Sequence, residues 1–115
     1  MKYLLLDYSD TRWWDALSAS ERVAFEDARR ANDEMLRHSG HLLAAATLQS
    51  HNAITTVRVQ NGEVCVADSL RVETTEQLSS LFFIHARDLN EAIQVAAKMP
   101  QARSGPIEVR PINES

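Results

Sequence analysis

A chain of 115 residues that is 44% apolar and 24% charged has the size and make-up of one globular domain, 1–115, and is far from the disordered class. Its formal net charge of −4, with Lys and Arg dispersed, lacks the basic footprint of a nucleic-acid binder. A single cysteine, Cys65, excludes an internal disulfide, and no Cys/His spacing reads as zinc, so no metal and no cofactor are expected.

At the N-terminus only three leucines separate Tyr3 from Asp7, too few for a signal-peptide apolar region. No later run approaches a membrane span, and the expectation is a soluble, cytoplasmic protein without a membrane partner. Lys2 to Tyr8 reads as a strand apolar on both faces, with Tyr3 and Leu5 on one side and Leu4 and Leu6 on the other. Ser9 to Ser18 reads as a loop carrying Trp13 and Trp14. Ser18 and Glu21 stand at capping-box spacing, so a helix begins there. Ala24, Ala28, Ala31 and Met35 recur along it as an apolar face, with Phe25, Asn32 and Leu36 beside them. Arg29, Arg30, Asp33, Glu34 and Arg37 fall opposite, and Glu26–Arg30 and Asp33–Arg37 are favourable i,i+4 pairs. Gly40 is the stop.

Leu42 to Leu48 is a second strand. Asn61-Gly62 then signals a type I′ hairpin, because that turn needs positive φ at both central residues. With this turn Gln60 faces Glu63, Val59 faces Val64, Arg58 faces Cys65 and Val57 faces Val66, and the valines share one face. Glu73 to Leu78 is a short helical turn or an irregular crossing. Leu81 to Ala86 is an almost continuous apolar run, as an interior strand would be. Asp88 caps a second helix with Glu91 at capping-box spacing; Leu89, Ala92, Ile93 and Ala96 are its expected buried stripe, and Pro100 ends it. Ile107, Val109 and Pro111 alternate with Glu108 and Arg110 in a last strand, the proline placing it at an edge or an end.

The order is β-α-β-(β-hairpin)-β-α-β. Two helices cover one face of such a sheet, and strands 3–6, 42–46 and 81–84 are apolar on both. The second face therefore needs a cover, and the simplest is another copy across a two-fold axis, with Leu4 and Phe82 as expected interface residues.

The order of these motifs is similar to the YCII-related family, in its DGPF-type branch. The segments that carry the resemblance are MKYLLLDYSD, LSASERVAF, SGHLLAAATLQ, the strand closing in Val66-Ala67-Asp68, Glu73-Thr74-Thr75-Glu76-Gln77-Leu78, Ala86-Arg87-Asp88-Leu89-Asn90-Glu91-Ala92 and IEVRPI. The resemblance spans nearly the whole chain. It implies an α+β, ferredoxin-like antiparallel sheet with two helices on one face and an extra β-hairpin, of the dimeric α/β-barrel type. Asp68-Ser69-Leu70-Arg71 stands where the branch has Asp-Gly-Pro-Phe, so the naming motif is degenerate. A His-Asp dyad proposed for the wider family falls near Arg29 and on Met99, and Ala45-Ala46 stands where the branch usually has Gly-Glu. The implied function is a homodimeric, non-catalytic ligand-sensing or regulatory protein, linked to an extracytoplasmic-function sigma factor. The alternative is a small-molecule enzyme acting between helices and sheet, like the family's isomerases, dehydrochlorinases or cofactor-free monooxygenases.

Asp68, retained from the motif at a strand end, is the candidate catalytic carboxylate; the alternative is an Asx-type turn. His41, His51 and His85 have the right intrinsic pKa for acid–base or ligand contacts, against a structural or solvated reading. Arg71, in a charged loop with Glu73 and Glu76, could take a ligand carboxylate, against a solvated loop face, and Trp13 and Trp14 could cover an apolar pocket, against at least one of them closing the core.

Overall fold

The computed structural model describes residues 1–49, 54–69 and 76–114. Strand β1 (Lys2–Asp10) leads into a short helix α1 (Thr11–Asp15), the long helix α2 (Ala19–His38) and strand β2 (Leu42–Thr47). Strands β3 (Ile54–Gln60) and β4 (Glu63–Ser69) form the hairpin. Strand β5 (Glu76–His85), helix α3 (Leu89–Lys98), a 3-10 turn (Pro100–Arg103) and strand β6 (Ile107–Pro111) complete the chain. The main sheet has the order β2-β5-β1-β6 with every pair antiparallel, which is the ferredoxin-like arrangement, and β3-β4 is a separate two-stranded sheet.

Register sorts the two faces. Tyr3 lies opposite Ile84 and Leu5 opposite Phe82, and these four enter a core with Leu36 of α2, Leu42, and Ala92, Val95, Ala96 and Met99 around α3. Leu4 lies opposite Phe83 and Leu6 opposite Leu81, and these point the other way, with Ala44 and Ala46 alongside. Phe82 is thus a core residue, 2% exposed beneath the helices, and not on the outer face as expected from the sequence; Phe83 is the one on the outer face, because the strand alternates.

Capping chemistry acts where the sequence puts it. Ser18 Oγ accepts the Glu21 amide at 3.1 Å while Glu21 Oε1 accepts the Ser18 amide at 2.8 Å. Asp88 Oδ1 accepts the Glu91 amide at 2.8 Å, whereas Glu91 Oε1 reaches the amide of Arg87, not that of Asp88. Gly40 has φ +82° after α2.

The buried faces of both helices differ from the sequence reading. In α3 the buried residues are Ala92, Val95 and Ala96; Leu89 and Ile93 are exposed, since two adjacent apolar stripes exist and the helix turns the smaller one inward. In α2 only Asn32 and Leu36 are buried, with Arg22, Phe25, Glu26, Arg29 and Asp33 half-buried, while Ala24, Ala28, Ala31 and Met35 face outward. Glu26 pairs with Arg29 rather than Arg30. The start of β5 at Glu76 also replaces the irregular crossing as far as Leu78. β1 runs on to Asp10, with Ser9 opposite Gln77 and Asp10 opposite Glu76, so the expected loop after Tyr8 is part strand and part helix.

In the hairpin the pairs Gln60–Glu63, Val59–Val64, Arg58–Cys65 and Val57–Val66 form as read, around Asn61 at φ +53° and Gly62 at φ +78°. Its four valines are each 60% or more exposed. The radius of gyration is 16.3 Å, against about 13 Å for a compact domain near this length, so the fold is spread rather than closed on itself. Gly62→Val puts a β-branched residue at positive φ and is expected to lower stability by roughly 1–3 kcal/mol, read from urea unfolding. An unchanged midpoint would contradict the turn.

Candidate functional site

The alternation that sends Tyr3 and Leu5 into the core sends Asp7 to the same face, where the helices part. Asp7 is 2% exposed. Ser80, directly opposite on β5, donates its hydroxyl to Asp7 Oδ2 at 2.7 Å, and Ser9 donates to Oδ1 at 3.4 Å. Hydroxyls share the charge without neutralising it. Burial pushes the Asp7 carboxyl above its ordinary range, while those two hydrogen bonds and the Arg29 charge pull the other way. The pairing with β5 shifts register between Asp7 and Tyr8, an irregularity of the kind that re-aims side chains beside functional sites.

Asp10, at the end of β1, caps α1 by accepting the Arg12 amide at 2.9 Å, and the Arg12 guanidinium folds back on it. A five-residue helix cannot hold itself in water, so aromatic packing fixes it. Trp13 and Trp14 meet Phe25 of α2 edge-on, with centroids 5.1 and 6.0 Å apart, and the Arg22 guanidinium lies 5.3 Å over Trp14. From α2, Arg29 donates to Glu26 Oε2 at 2.6 Å and to Thr47 Oγ1 of β2 at 3.2 Å, and its buried Nε–H has no partner among the described residues.

The remaining wall comes from the 3-10 turn. Gln101 is 2% exposed, yet neither its amide oxygen nor its amide nitrogen is hydrogen-bonded among the described residues. Together these groups enclose a cavity of about 290 Å³ between α1, α2, the end of the sheet and the 3-10 turn. The turn is held against β1 by the Tyr8 amide on Pro106 O at 3.0 Å and the Asp10 amide on Ser104 O at 2.9 Å. Gly105 lies between these bonds, and a Cβ there would stand 1.9 Å from the Tyr8 carbonyl oxygen. Gly105→Ala must push two backbones apart, and is expected to destabilise by roughly 1–3 kcal/mol and displace Gln101 from the cavity. A thermal melt matching wild type would show that this contact is not tight.

The YCII-related domain pattern matches residues 1–115. The chain belongs to the YCII-related family. No curated protein matches it. In this YCII-related chain Arg29 lines the cavity and Met99 is buried in the core.

Of the described residues singled out from the sequence as candidates, Trp13 and Trp14 line the Asp7 cavity. His41 is elsewhere, its Nδ1 2.7 Å from Ser39 Oγ and its Nε2 3.3 Å from Glu91 Oε1, in a depression between α2 and α3. His85 ends β5, with Nε2 3.5 Å from the N-terminal amine. Asp68 belongs to β4, where its backbone pairs with Thr55 in the separate hairpin sheet, and its side chain lies outside the described residues, as do His51 and Arg71.

Asp7, Gln101 and Ser80 are absent from the sequence-based candidates. Asp7 carries a legible signal, a charge on the same strand face as two core residues. Gln101 carries none, since its burial depends on how the 3-10 turn docks. Among the described residues no helix is long and apolar enough to cross a membrane.

Proposed function

We propose that this YCII-related protein is a cytoplasmic homodimer whose subunits each bind a small molecule in the cavity over Asp7, in a sensing or regulatory role. The observation that carries this reading is Gln101, buried at the cavity wall with both amide atoms unpartnered among the described residues. Each buried polar group left unpaired costs roughly 1–3 kcal/mol, so a fold that keeps one beside an open cavity gains when a ligand pairs it. At about 290 Å³ the cavity is at the small end of ligand pockets, and a ligand of one or two rings fits. The branch resemblance adds the setting of an extracytoplasmic-function sigma factor. The dimer is supported by the apolar outer face of the sheet and by the exposed hairpin valines, and the family is commonly dimeric.

A sensing role is favoured over catalysis because neither His41 nor His85 lines the cavity, and a buried carboxylate without a histidine beside it is a poor acid–base apparatus. The upward-shifted Asp7 supports the second reading, an enzyme using Asp7 as its base. A fragment screen read by thermal shift, followed by titration of hits into wild type and Gln101→Leu, tests the binding. Gln101→Leu removes unpaired groups, so it should melt no lower than wild type while hits bind about tenfold more weakly. Equal affinity for both proteins would remove the cavity from the binding site.

A further inference from the structure

Resting on that reading, we infer that the cavity ligand is a small organic cation, a protonated amine or amidine on one ring, and not a carboxylic acid. The ionic inventory of the wall points there. Among the described residues four carboxylates line it, from Asp7, Asp10, Asp15 and Glu26, against one guanidinium, from Arg29. That guanidinium is engaged by Glu26 at 2.6 Å, and Asp10 is engaged by Arg12 at 3.1 Å. Asp7 alone is buried without an ion-pair partner among the described residues, held only by two hydroxyls. A buried carboxylate in that position is completed by a cation that hydrogen-bonds to it, and such charge-assisted bonds are the strong ones. An anion would meet the same four carboxylates, while the one guanidinium lining the cavity among the described residues is already paired with Glu26 and has only its Nε–H free.

Two further features fit a cation. The rings of Trp13 and Phe25 line the same cavity, and aromatic faces attract organic cations. Gln101 Oε1, unpartnered among the described residues, is an acceptor for a second N–H of the ligand, and Gln101 Nε2 would take an acceptor elsewhere on it.

Three probes of one shape separate the possibilities: benzamidine, benzamide and benzoate, titrated calorimetrically into the dimer at neutral pH. Benzamidine is expected to bind at least tenfold more tightly than the other two. Asp7→Asn is expected to abolish that preference, and Gln101→Leu to weaken benzamidine while keeping the ranking. If Asp7→Asn does not fold, the indole N–H resonances of the wild type decide, with Trp13 shifting on benzamidine addition. Benzoate or benzamide binding as well as benzamidine, with sensitivity to Gln101→Leu, would overturn the cation inference and leave the cavity reading standing. Failure of all three, beside fragment hits that still sense Gln101→Leu, would do the same. No binding by any fragment would overturn both.

Discussion

Asp7→Asn should melt at a higher temperature than wild type at neutral pH and bind the cavity ligand at least about tenfold more weakly. Burial raises the Asp7 carboxyl above the ordinary value of 3.8 that it keeps in the unfolded chain. Below that value both states hold the proton and Asp7 costs nothing. As pH rises through the folded pKa the native state must carry a buried charge, so stability is lost and stays lost at neutral pH. Asparagine carries no charge, and its amide can still accept from Ser80 and donate to the Ser9 oxygen. The gain expected at neutral pH is roughly 0.5–2 kcal/mol, the size typical when a functional residue is traded for stability. It should vanish below about pH 4. A variant that melts lower, with a pH profile parallel to wild type, would mean that Asp7 is a structural carboxylate already satisfied by its hydroxyls.

Phe83→Asp should convert a dimer into monomers or insoluble protein. Leu4, Leu81 and Phe83 sit half-buried on the outer face of the sheet, beside buried Leu6, with nothing of their own chain described as packed over them. Wild type is expected to sediment as a dimer at micromolar concentration, burying at least ~1,000 Å² in total. A charge at Phe83 would be desolvated at that interface without a partner. Phe82→Asp serves as the contrast, since Phe82 is in the core and its replacement should unfold the subunit itself. A wild type that sediments as a folded monomer would contradict the packing of sheet on sheet.

The parts of the fold legible in the sequence were those fixed by local chemistry. Asn61-Gly62 sets its own turn, Ser18 and Asp88 cap their own helices, and the alternation of Leu4, Leu5 and Leu6 follows from strand geometry alone. The helix faces were not legible. The inward side of α2 is polar, carrying Glu26, Arg29, Asn32 and Asp33, and a reading that equates burial with apolarity turns that helix the wrong way. For Glu26 and Arg29 the physical reason is the cavity: they line it and break the amphipathic pattern because they face the space between helix and sheet rather than a packed core. The degenerate motif marks Asp68 in the hairpin, whose side chain lies outside the described residues, whereas the buried charge at the cavity is Asp7, inside a strand that is otherwise plainly structural.

Crystals of the wild-type dimer soaked with a cocktail of small ring compounds would locate the site directly. Density bounded by Trp13, Asp7 and Gln101 in each subunit is the expected result. Density found only beside His41 and Glu91, or a Trp13 ring folded inward to fill the Asp7 cavity, would contradict it.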